Sequence, residues 1–334
     1  MASVGTLRPI GLRRRLTWAL GILVMVSSAD CLRHLLHGLL LCLPGLSSAA
    51  IVEEVIEVPV HVTTIYGQTI NQPIKVTVFR EDTRGRAPYL VLNHGRPASE
   101  ADFAKMKRQR FSDNSQYFVN LGFVVLVHTR VGYGESGGPD VEYSGRCDNR
   151  NYSPVYAASA DQTAAVLGAA ANLPYVDLSR GIVVGQSFGG MTSIALSTRA
   201  LPGMVAAVNF SGGGGGSPNE HPENPCSAYR LTALYKEYGA ASKVPTLWLY
   251  SENDRYWGPQ LPKEWFNAFV SAGGKAQFVQ LPPYKENGHS IFTGNPAAWR
   301  PTFESFLRQL GFNIATDTQP IIPPDPPRQA APGR

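Results

Sequence analysis

Short apolar runs that alternate with helix-patterned stretches constrain this chain more than any other feature. Ile74–Arg80, Tyr89–Asn93, Phe123–Thr129, Gly181–Gly185, Val205–Phe210, Thr246–Tyr250 and Ala276–Leu281 read as strands. Ala101–Leu121, Ser159–Asn172, Gly189–Ala200, Lys263–Ala272 and Ala297–Leu310 read as helices between or after them. Strands that are apolar throughout belong in a sheet covered on both faces, and the helices supply the crossovers that parallel pairing needs. The expected fold class is therefore α/β, with a mostly parallel central sheet flanked by helices on both faces. In such sheets ligands bind outside the carboxyl ends of the strands, so chemistry is expected just after each strand.

The two ends of the chain read differently from this body. Residues 1–50 hold two apolar runs, Leu16–Ala29 and Leu35–Leu46, each shorter than the roughly 18–20 residues a spanning helix needs. The second run ends in Ser47-Ser48-Ala49-Ala50, small residues of the kind a signal peptidase accepts, so residues 1–50 are expected to be a leader. Met25 is an alternative start, Arg13-Arg14-Arg15 resembles a twin-arginine signal only in part, and a membrane anchor is the alternative role. Residues 316–334 contain six prolines and are expected to form a disordered tail. The folded body is then residues 51–315. The net charge of +5 also belongs mostly to the leader, where five arginines stand against Asp30. What remains gives no basic footprint for nucleic acid. An exported protein, periplasmic or secreted, with no stable membrane insertion after cleavage is the expectation.

Gly185-Gln186-Ser187-Phe188-Gly189 follows one of the strands and opens a helix. A G-x-S-x-G pentapeptide in that context places its serine on a sharp turn at the top of the sheet, beside a helix N-terminus. A nucleophilic serine needs a base, and the base needs an orienting acid. Ser251-Glu252-Asn253-Asp254 follows the strand Thr246–Tyr250, and Gly288-His289-Ser290 lies beyond Ala276–Leu281. His289 is the only histidine after the last of these acids, which makes it the expected base. Asp254 is the expected acid and Glu252 the alternative, since Glu252 follows its strand too closely. Backbone N–H groups of Phe188 and of Arg96, in Asn93-His94-Gly95-Arg96, are expected to form the oxyanion hole, with His94 structural. Gly132-Tyr133-Gly134-Glu135-Ser136-Gly137 fits a dinucleotide fingerprint, but Gly138-Pro139-Asp140 follows it where a helix is required. No cofactor and no metal is expected.

These motifs together resemble the α/β-hydrolases, and among them the exported dienelactone-hydrolase/prolyl-oligopeptidase-like group. The resemblance runs over roughly Pro88–Leu310 and is carried by Asn93-His94-Gly95, Thr129–Ser136, Asp177–Arg180, Gly185–Gly190, Glu252–Asp254 and Gly288-His289. True dienelactone hydrolases use a cysteine where this chain has Ser187, so the resemblance implies a serine esterase. No propeller precedes the body, so the gate of the oligopeptidases is not expected. The leading reading is hydrolysis of small carboxylic esters. Peptide or amide hydrolysis is the alternative, and a non-catalytic binding module on the same fold is a third.

Two inserts, Gly138–Val155 and Gly212–Ser227, are expected to face the site, the second as a mobile rim because it opens with five glycines. Tyr133, Phe188, Tyr256 and Trp257 are candidates to line the substrate pocket. Of four cysteines, Cys31 and Cys42 lie in the leader, which leaves Cys147 and Cys226 to pair in an oxidising compartment.

Overall fold

The computed structural model describes residues 50–314. The expected leader up to Ala49, with Cys31 and Cys42, and the Pro-rich tail lie outside the described residues. The strands are β1 (Ile51–Thr63), β2 (Thr69–Glu81), β3 (Ala87–Asn93), β4 (Val124–Thr129), β5 (Val176–Gln186), β6 (Met204–Phe210), β7 (Thr246–Ser251) and β8 (Ala276–Leu281). They form one sheet in the order β1-β2-β4-β3-β5-β6-β7-β8, antiparallel at β1–β2 and β2–β4 and parallel from β4 onward. The helices are α1 (Ser112–Asn120), α2 (Tyr152–Ala170), α3 (Phe188–Leu196), α4 (Ala228–Ala241), α5 (Leu261–Ser271) and α6 (Arg300–Gln309).

Alternation along each strand sorts side chains to the two faces. Leu90 and Leu92 of β3 join Ile182 and Val184 of β5 under Phe118 of α1 and Phe303 and Phe306 of α6. Tyr89 and Val91, one residue out of step, join Val183 beneath Ala158, Val166 and Leu167 of α2. A third cluster packs Met191 and Ile194 of α3 with Leu231 and Tyr235 of α4 and Trp265 and Phe269 of α5. Full burial of each such side chain contributes about 1.5–3 kcal/mol, so both faces of the sheet are fixed and the strand ends are held in place. Among the described residues, no helix is long and apolar enough to cross a membrane.

The expected helix over Ala101–Leu121 is not continuous. Two 3-10 turns, Glu100–Asp102 and Ala104–Met106, precede α1, and Lys107 and Phe111 stand at positive φ between them. The intervening residues are drawn across the sheet instead. Arg108 and Arg110 pair with Glu53 of β1, and the Gln109 N–H donates to Thr129 Oγ1 at 2.8 Å. Strand β1 and helix α4 are additions to the sequence reading.

The glycine run at Gly212 is packed rather than loose. Tyr235 and Tyr250 donate to the Gly212 carbonyl, Tyr156 to that of Gly213 and Tyr152 to that of Gly214. A Cβ at Gly214 would stand 2.4 Å from the Tyr156 hydroxyl. Glycine is needed here for close approach of aromatic rings, so the run is a floor and not a mobile rim.

Candidate active site

Ser187 sits between β5 and α3 with φ +57° and ψ −125°, a conformation that L-residues adopt only under constraint. The constraint is visible on both sides. A Cβ at Gly185 would lie 1.9 Å from the Gly189 carbonyl oxygen, and one at Gly189 would lie 2.1 Å from that of Asn93. Strand and helix therefore pass at a distance only glycine permits, and the Ser187 N–H is tied to the Phe210 carbonyl at 2.9 Å. Ser187 Oγ faces His289 Nε2 at 2.9 Å. On the far side of the ring, His289 Nδ1 faces Asp254 Oδ2 at 2.9 Å and Oδ1 at 3.1 Å. An ionised carboxylate only accepts, so Nδ1 carries the ring proton and Nε2 presents its lone pair to the serine hydroxyl.

The Asp254 side chain has no solvent exposure and also accepts from the Tyr256 N–H at 2.8 Å. Two asparagines that the sequence reading did not single out join the acid loop to the histidine loop. Asn287 Oδ1 accepts from the N–H of His289 at 3.1 Å and of Arg255 at 3.0 Å. Asn253 accepts from the Tyr284 N–H at 2.9 Å, donates to the Lys285 carbonyl at 2.9 Å, and takes the Gly288 N–H on its own carbonyl. The Tyr256 ring stacks on the imidazole with centroids 3.9 Å apart, and Trp257 meets it edge-on at 5.6 Å. Glu252, the alternative acid, is exposed.

Among the described residues, the N–H groups of Phe188 and Arg96 have no backbone acceptor. A Cβ on Gly95 would lie 3.2 Å from that of Ser187, so the chain before Arg96 runs hard against Ser187. Its course is set from behind. The fully buried Arg130 donates through Nη1 to the His94 carbonyl at 2.7 Å and through Nη2 toward that of Gly95 at 3.4 Å. Its Nε meets Glu142 Oε1 at 2.5 Å, and neither side chain of this ion pair is exposed. His94 Nε2 accepts from the Arg130 N–H at 3.1 Å, so Nδ1 is the donor to the Gly95 carbonyl at 2.6 Å. Burial, with Arg130 nearby, holds the His94 pKa well below its usual value, which keeps this tautomer neutral. Arg130 belonged to a loop motif in the sequence, but nothing local identified Glu142 as its partner.

Tyr133 does not line the pocket. Its ring is fully buried, and its hydroxyl donates to Glu142 Oε2 at 2.6 Å while accepting from Arg96 Nη1 at 2.9 Å. Burial, reinforced by Glu142, keeps it a phenol by raising its pKa well above the usual value. Phe188, Tyr256 and Trp257 do border a cavity of about 410 Å³ that contains Ser187. Cys147 and Cys226 are joined by a disulfide, and Cys226 borders the same cavity. Cys147, His221 and Cys226 gather as closely as metal ligands do, but sulfurs bonded to each other offer no thiolate.

The sequence pattern of the prolyl oligopeptidase family matches residues 109–310, more than half of the chain. A puromycin-hydrolyzing peptidase of Mycobacterium tuberculosis shares 18% identity over 77% of this chain and 39% of its own, with a TM-score of 0.51. DcsB, solved in complex with a substrate analogue, shares 17% identity over 77% of this chain and 99% of its own, with a TM-score of 0.54. The esterase Pf2001 of Pyrococcus furiosus shares 15% over 76% and 90%, with a TM-score of 0.47. No curated protein matches the chain. At these identities the first two structural likenesses speak for the fold alone. With a pattern match over most of the body, from the turn before α1 to the end of α6, the chain is an α/β-hydrolase and belongs to the prolyl oligopeptidase family.

Proposed function

We propose that the protein is an exported serine hydrolase of carboxylic esters. Ser187 Oγ attacks the acyl carbon as His289 Nε2 takes its proton, and Asp254 holds the ring and stabilises the imidazolium that forms. Charge developing on the acyl oxygen is met by the Phe188 and Arg96 N–H groups, which among the described residues have no backbone acceptor. His289 returns its proton to the leaving alcohol. Water, deprotonated by the same nitrogen, then releases the acid from the acyl-enzyme.

The observation that carries this reading is the chain of contacts from Asp254 through His289 to Ser187, beside a pair of unengaged N–H donors. Peptide or amide bonds are the second reading, favoured by membership of the prolyl oligopeptidase family. Esters come first because an alcohol leaves more readily than an amine, so the triad and donor pair suffice without contacts along an extended peptide. Export is supported by the disulfide, which needs an oxidising compartment.

A panel of chromogenic esters and aminoacyl anilides tests both readings on the mature protein beside Ser187→Ala. Ester turnover that falls by about 10⁴ or more in the variant is expected. Retention of more than a few per cent would end the assignment of Ser187. Anilide turnover with inert esters would move the substrate to amides.

A further inference from the structure

The cavity that contains Ser187 is not isolated. A second cavity, of about 350 Å³, shares Asp140 and Tyr143 with it and so continues its wall. This second cavity lies between the turn joining β1 to β2 and the insert that follows β4, with Ile65, Tyr66, Gln68 and Pro139 on its other sides. The turn stands outside the segment that matches the family pattern.

Its chemistry is narrow. Asp140 is the one charged residue among those described around it, and both carboxylate oxygens are taken by Arg96 at 2.7 Å. A charged ligand group therefore finds no free partner there. Beside the neutral polar side chains of Thr64 and Gln68, the cavity presents two aromatic rings. Tyr66 is 76% exposed and Tyr143 39%, and their rings stack with centroids 6.4 Å apart and planes at 24°. Rings so exposed would ordinarily be a cost, since apolar faces gain only when water is removed from them. Both rings line the second cavity, and Tyr143 lines the first as well. A planar apolar ring is the ligand group that gains most from such faces, through area and through offset stacking together.

We propose that this second cavity is a subsite for an aryl group of the substrate, joined to the scissile ester by a linker that crosses the first cavity. A flexible alkyl linker lets the ring leave the first cavity while the ester stays at Ser187. The proposal rests on the ester reading above and names its substrate class: aryl-terminated esters rather than short acyl or plain alkyl ones. Tyr66 and Tyr143 are then specificity-determining residues and take no part in the bond cleavage.

Two ester series test this, because the aryl group can be carried by the acid or by the alcohol. Ethyl 6-phenylhexanoate is compared with ethyl hexanoate, and 6-phenylhexyl acetate with hexyl acetate, by acid release. In one series the aryl ester is expected to have the higher kcat/KM. Tyr66→Ala and Tyr143→Ala should each lower that aryl-to-alkyl ratio by about 2- to 10-fold, the scale of one aromatic contact. A ratio unmoved by both variants in both series overturns the subsite while leaving the esterase reading intact. Calorimetric titration of the same aryl esters into Ser187→Ala protein, with and without Tyr66→Ala, reads binding without turnover. If no ester is hydrolysed, the esterase reading fails and this titration still decides: weaker binding without the Tyr66 ring supports the subsite, and equal binding ends it.

Discussion

Glu142→Gln is the perturbation that most directly separates the proposed oxyanion side of the site from the proposed triad. The substitution keeps shape but strips the charge opposite Arg130, whose guanidinium is fully buried. Leaving one member of a buried ion pair without its partner costs about 3–5 kcal/mol. The new amide also turns donor hydrogens toward the Arg130 guanidinium or the Tyr133 hydroxyl, both of which donate to Glu142 now. Against a total stability of about 5–15 kcal/mol the protein stays mostly folded, with a clearly lowered urea midpoint. The second effect is catalytic. Arg130, paired with Glu142, reaches the His94 and Gly95 carbonyls, and those peptides lead into the Arg96 N–H, so loss of the pair is expected to shift them. A donor displaced by about 1 Å costs about 10²-fold in rate, so kcat on a chromogenic ester should fall to that extent with little change in KM.

Stability and positioning can then be pulled apart. The triple replacement Arg130→Met, Glu142→Leu, Tyr133→Phe removes the two charges and the hydroxyl between them together. Apolar groups of similar volume in place of a buried pair are often neutral or stabilising by about 1–4 kcal/mol. Its denaturation midpoint should therefore return toward that of the natural protein, while kcat stays low because nothing holds the two carbonyls. A triple variant with full kcat would refute the positioning role. So would a Glu142→Gln protein that loses stability but not turnover.

Three further outcomes follow from the same geometry. Asp254→Asn should reduce kcat by about 10⁴-fold by presenting the wrong ring nitrogen to Ser187, whereas exposed Glu252→Gln should stay within about 2-fold; the reverse ranking would move the acid to Glu252. Burial, aided by the Arg130 charge, holds the His128 pKa down to about 3, so the unfolded chain takes up that proton first and stability falls as pH drops below about 6.5. At pH 5 this costs about 2 kcal/mol relative to pH 7, and His128→Asn should flatten that part of the denaturation-midpoint profile; an unchanged slope would refute it. Alkylation of the denatured, unreduced mature protein should label no cysteine at Cys147 or Cys226, and reduction should expose two sites; the bridge closes a loop of 79 positions, for which chain entropy gives about 4–5 kcal/mol.

The contacts among Ser187, His289 and Asp254, the proposed nucleophile, base and acid, were legible because their information is local. Ser187, Asp254 and His289 each follow a short apolar strand, and parallel pairing of β5, β7 and β8 brings such strand ends to one edge of the sheet. Helix α4 was equally open to reading, since Leu231, Leu234 and Tyr235 keep helical spacing and are its buried face. Other features depend on partners distant in sequence. Strand β1 carries Glu53, Glu54 and Glu57, which interrupt its apolar pattern until Arg110, Arg80 and Lys75 are seen against them. The Gly212 run looks loose from composition, because the tyrosines that bind its carbonyls come from α2, α4 and β7.

Tyr133 makes the sharper case. Its residue type and its place after β4 suit a pocket wall, and only the direction of its ring says otherwise. That direction is set by Glu142, itself held by Arg130, so one side chain's role waits on a buried charge pair formed across a loop. The triad side can be read from where strands end, because each residue there answers to its own loop. The oxyanion side answers to a shared set of hydrogen bonds, in which the Arg96 N–H, its guanidinium, Tyr133, Glu142 and Arg130 fix one another. Variants on the second side should therefore be strongly non-additive with one another, while those joining Asn253 or Asn287 to the histidine loop should add to them nearly independently.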